Sequence, residues 1–243
     1  MAMSRPVFIT GTDTGVGKSF VTGGLCLLAR KAKLRVGAMK PVETGCTPHR
    51  GKLLPADAAL LSTCAGDPDS LDDVCPYRFE PPISPETAAR QAGVKIEFSK
   101  IADHYKKIAR DKDLVLVEGA GGIHVPLTEK KYMADLAKHL KCKVLLVVGD
   151  RLGMINHALL SLNEIQRRKL PLAGIVLNRV VPPDGEDFSL ETNAKDLARH
   201  TKVPIFGTLP WLPEGPSLLK PYHYRKLFED HLDSAALMAA LRN

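Results

Sequence analysis

Val7-Phe8-Ile9-Thr10-Gly11-Thr12-Asp13-Thr14-Gly15-Val16-Gly17-Lys18-Ser19 is the stretch that decides the fold of this 243-residue chain. A short apolar run reads as a strand over 7–10, a glycine-rich turn follows, and helical periodicity begins at Ser19 and runs to 31. Strand, glycine loop and helix in that order form a phosphate cradle. The glycines let backbone N–H groups turn inward around phosphate oxygens, and the helix N-terminus adds positive potential. Lys18 is placed to reach the β- and γ-phosphates, and the Ser19 hydroxyl to ligate Mg²⁺. A nucleoside triphosphate with Mg²⁺ is the expected ligand, held by Gly11, Asp13, Thr14, Gly15, Val16, Gly17, Lys18 and Ser19. The spacing departs from G-x-x-x-x-G-K-[ST] at one place: the first glycine is expected at 12, but Thr12 stands there and Gly11 comes one residue early.

Outward from this loop, further apolar runs of strand length recur at 36–39, 114–118, 144–149, 174–178 and 205–209. They are nearly continuous in Val, Ile and Leu, which is how a strand covered on both faces reads. Helical segments are expected between them at 56–65, 99–110, 133–140, 155–168 and 190–200. Regular alternation predicts an α/β fold: three layers, a doubly wound and mostly parallel sheet, of the P-loop NTPase kind. No repeat or linker divides the chain, so 1–243 is expected to form one domain. The stretches 66–84, 182–188 and 210–221, rich in Pro, Gly and acid, read as loops, and 214–243 as one or two helices.

Composition narrows the function classes. Hydrophobic residues at 44% and charged residues at 25% belong to a globular protein and exclude disordered and collagen-like chains. The net charge of +7 suits an anionic partner. Basic residues form nothing longer than Lys106-Lys107 or Arg167-Arg168-Lys169, and aromatics are only 5%, so a small-molecule pocket is expected in preference to nucleic acid or a membrane. The five cysteines are scattered and lack a CxxC pair, against both a disulfide framework and a zinc site. With no apolar run near the ~20 residues of a membrane helix and no signal-like leader, a cytoplasmic location is expected.

Beyond the loop come Lys40-Pro41-Val42-Glu43-Thr44-Gly45, Asp57-Ala58, Val117-Glu118-Gly119-Ala120-Gly121-Gly122, Leu152-Gly153-Met154-Ile155-Asn156-His157 and Pro210-Trp211-Leu212, each following a predicted strand or opening a helix. In this combination and order, across about residues 5 to 213, the chain resembles the dethiobiotin synthetase family of biotin biosynthesis. That family also carries its first glycine one residue early. The resemblance implies an ATP- and Mg²⁺-dependent ligase that converts 7,8-diaminononanoate and CO2 to dethiobiotin, ADP and phosphate. An amine captures CO2 as a carbamate, the γ-phosphoryl group is transferred to it, and the second amine closes the ureido ring.

It also implies roles. Lys18 and Lys40, with Thr14, serve the chemistry; Ser19, Asp57 and Glu118 hold the metal; Asn178, Pro210 and Trp211 flank the adenine. Thr44 and Gly121 contact the diamine, and Gly153, Met154, Ile155 and Asn156 bind its carboxylate across a homodimer interface. Several of these residues make sense unaided. Two anions need cations where they meet, and Lys40 closes the second strand, at the carboxyl-end crevice where open α/β sheets bind ligands. Glu118 is expected as the acid at the end of the third strand. Asp57 at a helix start is, by sequence alone, more often an N-cap, and Trp211 is equally a core residue. Where the family commonly has histidine after Ser84-Pro85, this chain has Glu86. His104, His139, His200 and His231 stand singly on helical stretches and are expected in surface or core roles. The competing reading is a ParA/MinD-like nucleotide switch, which shares the sheet; such switches carry a lysine near the start of the loop, where this chain has Gly11-Thr12-Asp13. A cobyrinate-type amidoligase would need a glutamine-hydrolysing domain for which no chain remains.

Overall fold

A computed structural model describes residues 6–66, 69–182, 187–213 and 220–242. The loop readings at Pro68, 183–186 and 214–219, and the first five residues, lie outside the described residues. Among the described residues, strands β1 (Val7–Gly11), β2 (Val36–Met39), β3 (Val42–Thr44), β4 (Thr47–His49), β5 (Lys52–Leu54), β6 (Tyr77–Phe79), β7 (Leu114–Gly122), β8 (Lys143–Asp150), β9 (Leu172–Arg179) and β10 (Ile205–Leu209) are joined by ten α-helices and one 3-10 turn at Phe188–Glu191. The α-helices are α1 (Lys18–Lys31), α2 (Ala56–Ala65), α3 (Leu71–Val74), α4 (Pro85–Gln91), α5 (Phe98–Ala109), α6 (Met133–His139), α7 (Met154–Arg167), α8 (Asn193–His200), α9 (Pro221–His231) and α10 (Ser234–Arg242).

Six strands form the main sheet in the order β10-β9-β8-β1-β7-β2, every pairing parallel. Successive residues of a strand face opposite sides, so a sheet with two cores must be apolar at every position. Phe8, Val115, Val117, Val144, Leu146 and Val148 enter one core, beneath α5, α6 and α7. Val7, Ile9, Leu114, Leu116, Leu145 and Val147 enter the other, beneath α1, α2, α9 and α10. That division is the three-layer architecture, and it explains the lack of alternation in the strand sequences. β1 lies between β7 and β8, which brings the loop after it to the crevice between the two halves of the sheet.

The main strands and helices fall where the sequence places them, with two corrections. Residues 66–84 are not loop throughout: they contain α3 and β6, and β6 pairs in parallel with β3 through Val42–Tyr77, Glu43–Arg78 and Thr44–Phe79. Three-residue strands are too short for any periodicity to announce them. Second, Glu118 is not the last residue of its strand. β7 continues to Gly122, because Gly122 still pairs with Gly11, so Glu118 sits inside the sheet opposite Ile9. The C-terminal reading of one or two helices is met by α9 and α10.

Candidate active site

The turn after β1 wraps closely on itself. A side chain at Gly11 would sit 2.6 Å from Val16 Cγ2 and 2.8 Å from the Asp13 carbonyl oxygen, which is why the early glycine is needed. Gly17, just before α1, has φ 86°, in the left-handed region that glycine adopts without strain. Lys18 folds back across the loop, and its Nζ donates to the Asp13 carbonyl at 3.1 Å. Burial first, and then the charge of Lys40, bring Lys18 down from the usual lysine value to about 8.

Lys40 leaves β2 at the same crevice and is buried with Glu118. Its ammonium donates to Asp57 Oδ2 at 3.0 Å and to Glu118 Oε1, an oxygen that also accepts from the Ser19 hydroxyl at 2.8 Å. Burial alone would lower the Lys40 pKa; Glu118 and Asp57 outweigh it and hold the group well above the ordinary lysine value. Burial pushes Asp57 upward, but Lys40 dominates and the carboxyl lies below its usual range. Lys40 is therefore a fixed cation at neutral pH and cannot act as a base. Asp57 is the second residue of α2; its side chain turns to Lys40, so the N-cap reading does not hold.

Glu118 Oε2 is buried and has no hydrogen-bond partner among the described residues. An orphaned carboxylate oxygen beside a serine hydroxyl and a second carboxylate makes a hard, oxygen-only donor set, the kind Mg²⁺ prefers. Among the described residues no group of three or more His, Cys, Asp or Glu is arranged to hold a metal by itself.

These groups line a cavity of about 770 Å³, in the range of small-molecule sites. Thr14, Lys18, Ser19, Lys40, Thr44, Asp57, Glu118 and Gly121 supply its polar wall. The apolar part of the lining was not foreseen from sequence: Val42, Leu60, Pro82, Ile83, Val125 and Pro126. Ser84 and Pro85 also line it, while the half-buried Glu86 does not and accepts from Arg90 at 3.3 Å. A further unforeseen residue is Glu43, whose two oxygens accept from the N–H groups of Asp57 and Ala58, each at 3.0 Å. Its only sequence signal is an acid close to Lys40 together with a helix that starts after Pro55 and so lacks a capping side chain.

Other expected residues do not line this cavity. Asn178 is buried against the phosphate loop, where its Nδ2 donates to the Val16 carbonyl at 3.0 Å. Pro210 and Trp211 are half-buried, and Trp211 lies in neither core. Gly153, Met154, Ile155 and Asn156 lie at the start of α7 and are not among the residues that line the cavity, with Gly153 and Asn156 exposed and Met154 buried. His104 pairs with Asp73 at 2.6 Å, outside the site.

Comparison with known proteins follows the same lines. An AAA domain family model matches residues 5–215. The chain is 41% identical over 210 residues to an ATP-dependent dethiobiotin synthetase of Anaeromyxobacter dehalogenans, covering 86% of this chain and 92% of that one. It is 40% identical over 219 residues to the same enzyme of Thermodesulfovibrio yellowstonii, covering 87% and 91%. Against that of Pseudomonas aeruginosa it is 44% identical over 210 residues, covering 86% and 90%. Among solved structures, the MinC:MinD complex of Aquifex aeolicus matches with TM-score 0.55 and 20% identity, covering 98% of this chain and 95% of that one. A ParA family ATPase from Chlorobium tepidum matches with TM-score 0.55 and 16% identity, covering 99% and 100%. At these identities the likeness is one of fold.

Proposed function

The chain belongs to the ATP-dependent dethiobiotin synthetase family, ligases of biotin biosynthesis, and on that premise we propose how its residues divide the work of the reaction. The observation that carries the proposal is the cluster Lys18, Lys40, Ser19, Asp57 and Glu118 at one rim of the cavity, with two cations facing the place where two anions must meet.

In this reading the triphosphate lies in the loop of Gly11, Asp13, Thr14, Gly15, Val16, Gly17, Lys18 and Ser19. Ser19, Asp57 and Glu118 hold Mg²⁺, and the unpartnered Glu118 oxygen supports that assignment. When bound, the ion offsets charge on the phosphates. The aliphatic chain of 7,8-diaminononanoate lies along Val42, Leu60, Ile83 and Val125, while Thr14, Thr44 and the Gly121 N–H orient its amines. One amine adds to CO2 and loses a proton, giving a carbamate. Lys40, held protonated by its two carboxylates, draws the carbamate to the γ-phosphorus. Lys18 offsets the charge that builds on the β,γ-bridging oxygen as ADP leaves. Phosphoryl transfer asks mostly for positioning and electrostatic stabilisation, which two fixed ammonium groups provide. The second amine then attacks the carbonyl carbon of the mixed anhydride, and the ureido ring closes with expulsion of phosphate.

The start of α7, with Gly153, Met154, Ile155 and Asn156, is assigned to the substrate carboxylate of a second protomer, since none of these residues lines the cavity of its own chain. This makes the protein a homodimer. Asn178 is assigned to the adenine: its Nδ2 is engaged by Val16, which leaves Oδ1 as an acceptor for the exocyclic amine, with Pro210 and Trp211 beside it. The whole chain, 1–243, acts as one ligase unit. Five buried cysteines, all free thiols, support a cytoplasmic location.

The test is direct: incubate the protein with diaminononanoate, bicarbonate and MgATP, and measure phosphate and dethiobiotin together. Stoichiometric, diamine-dependent release of both supports the assignment. Phosphate release indifferent to the diamine and stimulated by DNA or lipid would put the nucleotide-switch reading in its place.

A further inference from the structure

We propose that Glu43 is a positioning residue for the metal side of the site: it fixes the Asp57 carboxylate relative to Lys40 and Glu118 by gripping the start of α2 from a neighbouring strand. The inference rests on the reading of Asp57 as a metal ligand and adds to it the residue that determines where Asp57 stands.

A helix begins with N–H groups that have no intrahelical partner, and a Ser, Thr, Asp or Asn at the N-cap normally accepts from the second or third of them. The N-cap of α2 is Pro55, which has no side-chain acceptor. The second and third residues are Asp57 and Ala58, and the two N–H groups a local cap would serve are the two that Glu43 accepts, one on each oxygen, both at 3.0 Å. The cap has been moved onto β3, three residues after Lys40 and fourteen before Asp57.

This relocation has a geometric consequence. A local cap would satisfy α2 while leaving it free to shift against the sheet. A two-point cap from β3 ties the backbone N of Asp57 to the segment that carries Lys40, so that the acid and the ammonium it meets at 3.0 Å are braced against one another. Glu43 is buried, with both oxygens directed to α2. β3 is held in turn by β6, and the Lys40 N–H donates to the Val74 carbonyl at 2.8 Å. The frame around Asp57 is therefore assembled from α2, α3, β3 and β6, the very elements absent from a minimal reading of the sheet. Groups that orient metal ligands typically change metal affinity or activity 10- to 100-fold when removed.

Three variants test this: Glu43→Gln, which keeps volume and one acceptor; Glu43→Ala with Pro55→Ser, which restores a local cap but not the tie to β3; and Asp57→Asn. Mn²⁺ binding is measured by calorimetry and by the spin signal of the ion, in the presence of a non-hydrolysable ATP analogue, alongside thermal unfolding and the Mg²⁺ dependence of kcat and KM. Expected are a roughly tenfold weaker Mn²⁺ affinity in Glu43→Gln and a comparable loss in the recapped double variant, even though its melting temperature recovers. In both, kcat should fall more than the KM for the diamine rises. Recovery of Mn²⁺ affinity together with thermal stability in the recapped variant would reduce Glu43 to an ordinary helix cap and overturn the inference. So would unaltered Mn²⁺ affinity in Glu43→Gln while Asp57→Asn is weakened. Unaltered Mn²⁺ affinity in Asp57→Asn would remove the metal assignment of Asp57 itself and the inference with it.

Discussion

Replacing Lys40 by methionine separates its electrostatic role from its volume. Methionine keeps most of the unbranched stem and removes only the charge, so packing is nearly preserved. Glu118 is fully buried; its Oε1 accepts from Lys40 and Ser19, and its Oε2 accepts from no described residue. Lys40→Met leaves that carboxylate with the Ser19 hydroxyl alone. Removing one partner of a buried ion pair costs roughly 3–5 kcal/mol, chiefly because the remaining charge is stranded. The surviving 2.8 Å bond from Ser19 argues for the lower end, about 3 kcal/mol. Loss of the second partner, Asp57, adds little, since that side chain is 43% exposed and water replaces the ammonium. Adding Glu118→Gln to Lys40→Met removes the stranded charge and should restore about 2 kcal/mol of the loss, an interaction that only a double-mutant cycle isolates. Urea unfolding of the four proteins, with slopes compared to confirm a common denatured state, reads these numbers. A Lys40→Met variant within 1 kcal/mol of the parent, or one that Glu118→Gln fails to rescue, would refute the claim that this pair is a strongly coupled buried unit.

The same geometry makes further predictions. Lys40→Met should abolish ring formation while the nucleotide analogue still binds within about threefold, because the phosphate contacts belong to the loop; loss of nucleotide binding with retained ring closure would reverse the roles of Lys18 and Lys40. Glu118→Gln should raise the Mg²⁺ concentration for half activity by about tenfold, and an unchanged titration would remove Glu118 from the metal site. Because burial and Lys40 bring Lys18 to about 8, the free protein sheds that proton as pH rises past this value, whereas the bound triphosphate restores it. Nucleotide binding should take up about 0.7 proton at pH 8.5 and about 0.1 at pH 7, read by calorimetry in buffers of differing ionisation enthalpy, and the uptake should vanish in Lys18→Arg. For the free protein the unfolded chain holds this proton more tightly, so the Lys18 contribution makes stability rise with pH between about 8 and 10.5. On α1, a methyl group added at Gly24 would fall 2.2 Å from Phe228 Cζ, a ring fully buried in the core. Gly24→Ala should therefore lower stability by about 1–2 kcal/mol despite the better helix propensity of alanine, and a rise in melting temperature would show that α9 yields easily.

Much of this protein was legible residue by residue. The chain 7–19 carries its own context, since strand, glycine turn and helix must occur together for the backbone to close around phosphate. The doubly covered sheet was legible from strands without alternation. Lys40 and Asp57 were also visible, at the end of a strand and the start of a helix, and Glu118 as the acid after a buried apolar run, although β7 carries on past it to Gly122. What could not be read was their meeting. Lys40 lies 17 residues from Asp57 and 78 from Glu118, and no local period links positions so far apart. The four-residue α3 and the paired three-residue β3 and β6 lie below the length at which hydrophobic periodicity exists.

Local pattern, then, determined the architecture, the phosphate loop and the identity of the charged residues, because backbone dihedral preferences and the burial of alternate side chains act within a few neighbours. Tertiary structure alone decided that Lys40 is a locked cation, that Asp57 turns away from its own helix, and that Glu43 caps a helix to which it does not belong. The reason is physical: burial and charge pairing depend on which distant segments the sheet order makes adjacent, and β2, β7 and β1 lie side by side only once the chain has folded.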